Sequence, residues 1–207
     1  MKESVAQRIG DTPCVRREDV LVHPDSSLND VCEGLMNQNI TAVATKSGRD
    51  GSANDEARFA FVQSCWHREI VDQGRDSFLS EMRRRGIAAS RIDLYEVPGA
   101  FELPLHAKVL GRSGRYAAVV ACGFVVNGGI YRHEFVAEAV ISGLMSVQLE
   151  IEVPVISAVL TPRDFHDHEE HRKFFHDHFR VKGIEAAAAC VSTAAALDRV
   201  RDVAEAA

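Results

Sequence analysis

The sequence predicts an α/β fold, with helices on both faces of a parallel four-stranded sheet. Three features predict it. From Arg58 onward, short apolar runs alternate with longer segments of helical periodicity. The links between them are short, as repeated β-α units require. The run Ala117–Val126 is almost wholly apolar, as a strand covered on both faces must be.

The elements follow in order. Phe59–Gln63 reads as a short apolar strand, and Ile70–Arg84 as a helix in which Val71, Phe78 and Met82 recur at helical spacing. Ile92–Val97 is the second strand. Pro98 and Gly99 then turn the chain into a short helix over roughly 100–111, with Pro104 placing its early part in a first turn. After the third strand, Arg132–Glu150 is a long helix with Val136, Val140, Leu144 and Val147 along one side. Val155–Leu160 is the fourth strand. A His-rich helix follows, and a separate alanine-rich helix from Ile184 to about Ala204 closes the chain. The class is flavodoxin-like, a three-layer α/β/α fold.

Composition sets the outer bounds. The chain has 207 residues, 46% hydrophobic and 26% charged, as in a globular protein of one domain with an extension. A net charge of −6 without a basic stripe argues against nucleic acid. No apolar run approaches the ~20 residues of a membrane span, and the N-terminus lacks a charged-then-apolar signal layout. The expectation is a cytoplasmic protein with no membrane partner. The five cysteines have no C-x-x-C spacing and read as reduced thiols or small core residues.

Residues 1–57 differ from the rest. They are polar and aperiodic and contain no Trp, Tyr or Phe, so they can bury little apolar surface against the entropy of ordering. They are expected to be a mobile or partly ordered extension, with any helix or strand confined to 19–42. Met36 is an alternative start. Residues 58–207 form the domain.

In open parallel sheets, ligands bind beyond the carboxyl ends of the strands. Four segments fall there: 64–67, 98–102, 127–133 and 161–164. Asn127, Gly128 and Gly129 suit close backbone approach to an anion at a helix start, where Arg132 would oppose the helix dipole; the plainer reading is a βα turn with a solvated arginine. Trp66, the single tryptophan, can stack on a flat heterocycle or pack as a core or interface aromatic. Five of nine histidines crowd 166–178, yet no spacing specifies a full set of metal ligands, so no metal is expected and an exposed or interface histidine helix is preferred. Lys182, before Gly183 at the expected start of the last helix, is either a ligand contact or a solvated lysine.

Together these residues resemble the lumazine synthase family over 58–207. The marks are Val-Pro-Gly-Ala-Phe-Glu-Leu-Pro at 97–104, Gly-Gly-Ile-Tyr-Arg-His-Glu-Phe-Val at 128–136, Val-Leu-Thr-Pro at 159–162 and Val-Lys-Gly-Ile-Glu-Ala-Ala at 181–187. The Gly-Ile-Tyr-Arg-His form and the His-rich helix look like the family's second, decamer-forming type. The resemblance implies riboflavin biosynthesis. An aminopyrimidine, 5-amino-6-(D-ribitylamino)uracil, condenses with 3,4-dihydroxy-2-butanone 4-phosphate to 6,7-dimethyl-8-ribityllumazine, phosphate and water, without a cofactor. The different class kept beside it is a flavin- or lumazine-binding carrier of the same fold with weak or no catalysis.

The resemblance also implies roles. Trp66 occupies the aromatic stacking slot. Ala100, Phe101 and Glu102 match the segment holding the ribityl chain, and Val125, Val126 and Asn127 the segment reading the pyrimidine edge. Gly128, Gly129 and Ile130 match the phosphate-facing loop, and Lys182 a ligand-contacting lysine. Three departures stand out. The family's proton-transfer histidine aligns on Arg132, which stays protonated and is a poor base, while His133 stands beside it. The neighbouring subunit's aromatic slot holds Ser157, and its phosphate-binding arginine falls on His171. These changes predict weaker substrate binding, not a different activity. The family's site lies between adjacent subunits, so a homo-oligomer is expected, either a pentamer or a dimer of pentamers.

Overall fold

The computed structural model of the chain describes residues 57–128, 130 and 132–206. The expected extension lies outside these residues except for Ala57. Four strands and four helices alternate: β1 (Arg58–Ser64), α1 (Arg68–Arg84), β2 (Ile92–Val97), α2 (Leu103–Arg112), β3 (Tyr116–Phe124), α3 (His133–Ile151), β4 (Val155–Leu160) and α4 (Glu169–Glu205). The sheet is parallel throughout, in the order β2-β1-β3-β4. From the central pair the chain winds outward to β2 on one side and to β4 on the other. The reversal leaves a crevice at the carboxyl ends of β1 and β3.

Side-chain alternation sorts the core into two layers. Phe59 and Phe61 of β1 join Phe78, Met82 and Phe179 of α1 and α4 on one face, while Ala60 and Val62 join Leu103, Val140 and Leu144 of α2 and α3 on the other. This is the expected three-layer α/β/α arrangement. Fully buried side chains such as Phe61, Phe78 and Phe179 contribute roughly 1.5–3 kcal/mol each.

β2 and β4 keep their expected bounds, and Pro104 falls in the first turn of α2, where its missing N–H has no helical acceptor. The third strand stops at Phe124, two residues short of the expectation. The larger correction concerns the C-terminus. The two expected helices are one continuous helix of 37 residues, and Gly183, which reads as a break, lies in its interior. A Cβ at Gly183 would overlap Ser77 Oγ and the Gly74 carbonyl and stand 2.9 Å from Phe78 N. Glycine is there because α4 crosses α1 too closely for any side chain. The helix accepts its poor propensity for the sake of that contact.

A second feature is apolar surface left uncovered. Leu105 and Val109 on α2, Phe135, Met145 and Leu149 on α3, and Leu94 on β2 are all exposed. Among the described residues, no helix is long and apolar enough to cross a membrane.

Candidate active site

The chain leaves β1 through Cys65 and Trp66 and enters α1 at His67, which takes the left-handed conformation (φ 51°, ψ 46°). For a residue with a Cβ this costs about 1–2 kcal/mol. The sharp turn leaves Trp66 67% exposed above the strand ends. After β2, the N–H of Gly99 donates to Glu102 Oε2 at 2.9 Å, folding the carboxylate back over the single turn Ala100–Glu102. Ala100 is buried beneath that turn and Phe101 projects from it. After β3, Val125 is buried, and Asn127 Oδ1 accepts from Phe165 N at 2.6 Å, fastening the segment after β4 to the end of β3.

These three strand ends line a half-open cavity of about 830 Å³. Trp66, Phe101, Glu102, Val126, Asn127 and His133 line it, and Ala100, Val125, Gly128 and Ile130 complete the set of expected residues found there. A Cβ on Gly128 would meet only open space, and Ile130 is 89% exposed. Gly129 lies outside the described residues. The cavity has an apolar wall, one carboxylate, the two imidazoles of His67 and His133, and the start of α3.

Arg132 and His133 part company. His133 lines the cavity, with Nδ1 3.5 Å from Glu134 Oε2 and a side chain that is mostly covered. Arg132, the residue before α3, turns its guanidinium over the Phe135 ring, 4.7 Å from the centroid, and is absent from the cavity wall.

Ser157, His171 and Lys182 are not brought to this cavity. Ser157 is an exposed residue of the edge strand β4, and its Oγ accepts from Val159 N. Lys182, expected at a helix start, lies midway along α4 and pairs with Glu185 at 2.6 Å. His171 sits in the first turn of α4 with its ring 4.5 Å from that of His168 and 5.4 Å from that of His166. Its Nδ1 accepts from His166 N at 3.2 Å, and its own N–H donates to His168 Nδ1 at 3.5 Å. Among the described residues, no group of three or more His, Cys, Asp or Glu is arranged to hold a metal ion.

A smaller hollow of about 620 Å³ lies between the starts of α1 and α4. Its charges are spent on one another: Arg172 bridges Glu69 at 2.7 Å and Asp167 at 2.8 Å, and Lys173 meets Asp177 at 3.0 Å. Cys122 and Cys190 are buried thiols. Burial pushes Cys122 well above the ordinary thiol range and Cys190 up to about 12, so neither is a nucleophile.

His67, Phe124 and Val136 also line the cavity; the sequence places His67 in the 64–67 segment without a role and does not mark the other two as site residues. Phe124 and Val136 read simply as strand and helix core. Nothing in the residue pattern marks a left-handed histidine.

The family model described as 6,7-dimethyl-8-ribityllumazine synthase matches residues 56–198. A protein named 6,7-dimethyl-8-ribityllumazine synthase 2 from Pseudomonas syringae pv. tomato is 56% identical over 163 residues, 79% of this chain and 92% of that protein. A protein of the same name from Bradyrhizobium diazoefficiens is 55% identical over 144 residues, 70% of this chain and 86% of its own length. One named 6,7-dimethyl-8-ribityllumazine synthase 1 from Caulobacter vibrioides is 38% identical over 145 residues, 70% of this chain and 93% of that one.

Proposed function

The chain belongs to the 6,7-dimethyl-8-ribityllumazine synthase family, and on that premise we propose that the cavity at the strand ends is where its two substrates meet. The protein is a transferase of riboflavin biosynthesis. It condenses 5-amino-6-(D-ribitylamino)uracil with 3,4-dihydroxy-2-butanone 4-phosphate to 6,7-dimethyl-8-ribityllumazine, releasing phosphate and water. One observation supports the site above others: an exposed tryptophan, a tethered carboxylate, an imidazole and a helix start line one cavity at the topological switch point.

The chemistry asks little covalent work of the protein, because the nucleophile is the pyrimidine's own amine. The amine attacks the ketone, an imine forms with loss of one water, phosphate leaves, and the ribityl-bearing nitrogen closes the ring on the remaining carbonyl carbon with loss of a second water. Trp66 stacks on the pyrimidine, Ala100, Phe101 and Glu102 hold the ribityl chain, and the 125–127 segment reads the ring edge. The first amides of α3 have no acceptors within the helix and point toward an incoming anion, so Gly128, Gly129 and Ile130 lead the phosphate to them. His133, on the cavity wall, moves protons between amine, carbonyl oxygen and solvent. Arg132 supplies positive charge nearby and no proton transfer. No step calls for a cofactor. Holding both reactants in one geometry supplies several kcal/mol, on the order of 7 where alignment is good.

The working unit is a homo-oligomer, a pentamer or a pair of pentamers, in which Ser157, His171 and Lys182 complete a neighbour's cavity. Two observations support this: those three residues stand away from their own chain's cavity, and α2 and α3 carry uncovered apolar side chains. The protein works in the cytoplasm, and residues 1–57 are an extension dispensable for the reaction.

The test is direct. Purified protein given both substrates should raise lumazine absorbance and release phosphate in equal amounts. Tight riboflavin binding with no lumazine above the uncatalysed background would overturn the reading in favour of a carrier.

A further inference from the structure

His67 has no part in the roles assigned above, yet the structure invests in its position. Its backbone holds the left-handed conformation at the start of α1, among the described residues shared by only one other non-glycine residue, Glu152. Glycine, asparagine, aspartate and histidine are the residues that most readily adopt it, so the angle admits a histidine and the side chain's surroundings show what it does there. The ring is wedged edge-on between two phenylalanines, with centroids 5.6 Å from Phe124 and 5.1 Å from Phe165. Phe165 is itself pinned by the Asn127 bond, so the wedge is stiff. His67 lines the same cavity as Trp66 and Asn127.

Its polar atoms make the second observation. Neither ring nitrogen has a hydrogen-bond partner among the described residues, and neither is a buried atom left unsatisfied. An imidazole always carries at least one N–H donor, and in its neutral form an acceptor as well. The ring packs against Phe124 and Phe165, and its unpaired nitrogens belong to a residue that lines the cavity.

We infer that His67 is a substrate-reading residue, whose imidazole hydrogen-bonds the polar edge of the heterocycle stacked on Trp66. A uracil ring alternates C=O acceptors with N–H donors along its rim, so either neutral tautomer finds a complement. The left-handed turn is the device that makes this possible. It sends the indole above the ring plane and the next side chain toward the ring's edge, so two consecutive residues grip one heterocycle from perpendicular directions. The phosphate-bearing substrate lies at the α3 start and is not touched by His67. This inference rests on the proposed function.

The experiment compares His67→Asn with His67→Gly in the full-length protein. Both residues tolerate a positive φ, so the backbone is retained in each. Both remove the ring from between the phenylalanines, so packing losses cancel in the comparison. Only asparagine keeps a hydrogen-bonding group. The readouts are the Kd of 5-amino-6-(D-ribitylamino)uracil, from quenching of the single tryptophan, and the KM of each substrate. The glycine variant should bind the pyrimidine about tenfold more weakly than wild type, as for one lost polar contact, with ketone-phosphate KM within twofold. Asparagine should recover a substantial part of that loss.

Equal pyrimidine affinity in the two variants would overturn the inference, since packing alone would then explain the residue. So would parallel changes in both KM values. Failure of the wild type to turn over while still binding the pyrimidine would instead sink the proposed function, and the asparagine–glycine comparison would still be read from Kd.

Discussion

Gly183→Ala offers a test in which propensity and packing demand opposite signs. Alanine is the better helix former by about 1 kcal/mol, so an isolated helix would gain from the change. In the folded chain the new methyl would overlap Ser77 Oγ and the Gly74 carbonyl and press on Phe78 N. Ser77 can rotate away, at the expense of its bond to Gln73 O at 2.8 Å. The carbonyl is backbone inside α1 and cannot move alone. Forcing a methylene-sized group into such a contact costs about 1–3 kcal/mol. With one rigid atom among the obstacles, the upper part of that range applies, and a net loss of about 2 kcal/mol remains after the propensity gain. For a domain of this size, that lowers Tm by about 4–8 °C. The assay is thermal unfolding followed by far-UV circular dichroism at one fixed protein concentration. The double variant Ser77→Gly with Gly183→Ala should recover only part of the loss, because the carbonyl stays. An unchanged or raised Tm for Gly183→Ala would refute the reasoning and make Gly183 incidental to the crossing.

Four further outcomes are expected. Trp66→Ala should raise the pyrimidine KM by the equivalent of about 1–3 kcal/mol with little effect on the ketone phosphate; an equal effect on both would point to an interface aromatic. His133→Ala should slow single-turnover chemistry by on the order of 10², and Arg132→Ala should slow it less; a larger loss at Arg132 would reverse the assignment. Glu81, buried and bonded first by Arg84 and then by Arg85, is held below its ordinary value of 4.5. Its contribution is therefore full above about pH 4.5 and lost as pH falls through the lowered folded value, so denaturant unfolding should find Glu81→Gln weaker than wild type at pH 7 and converging with it in acid. A chain beginning at Ala57 should keep assembly and turnover, measured by sedimentation and lumazine formation; loss of either would show that the extension is required.

Elements with unambiguous period or punctuation were legible. β2 and β4 keep their bounds because alternating or apolar runs end at Pro98 and at Thr161-Pro162. The α4 break was misread because glycine has two uses, ending helices and letting them touch, and only the position of α1 tells them apart. The site was legible wherever a residue's place along a strand end determines its place in space, as with Trp66, Glu102 and Asn127. It was not legible where one residue of register decides the direction. Arg132 and His133 are neighbours, and only the start of α3 sends one to the cavity and the other over Phe135. His67 was placed at a strand end without a role, because a backbone angle leaves no trace in composition.

The continuity of α4 makes it a lever with its fulcrum at the Gly74–Gly183 crossing. At ~1.5 Å per residue, roughly 18 Å of rigid helix separates Gly183 from His171. A tilt of about 3° at the fulcrum therefore swings His171 by about 1 Å, a displacement large enough to matter for catalysis. Two separate helices would absorb such a tilt in the joint between them. One rod transmits it, so a side chain added far from any substrate reaches the position of a residue proposed to meet one.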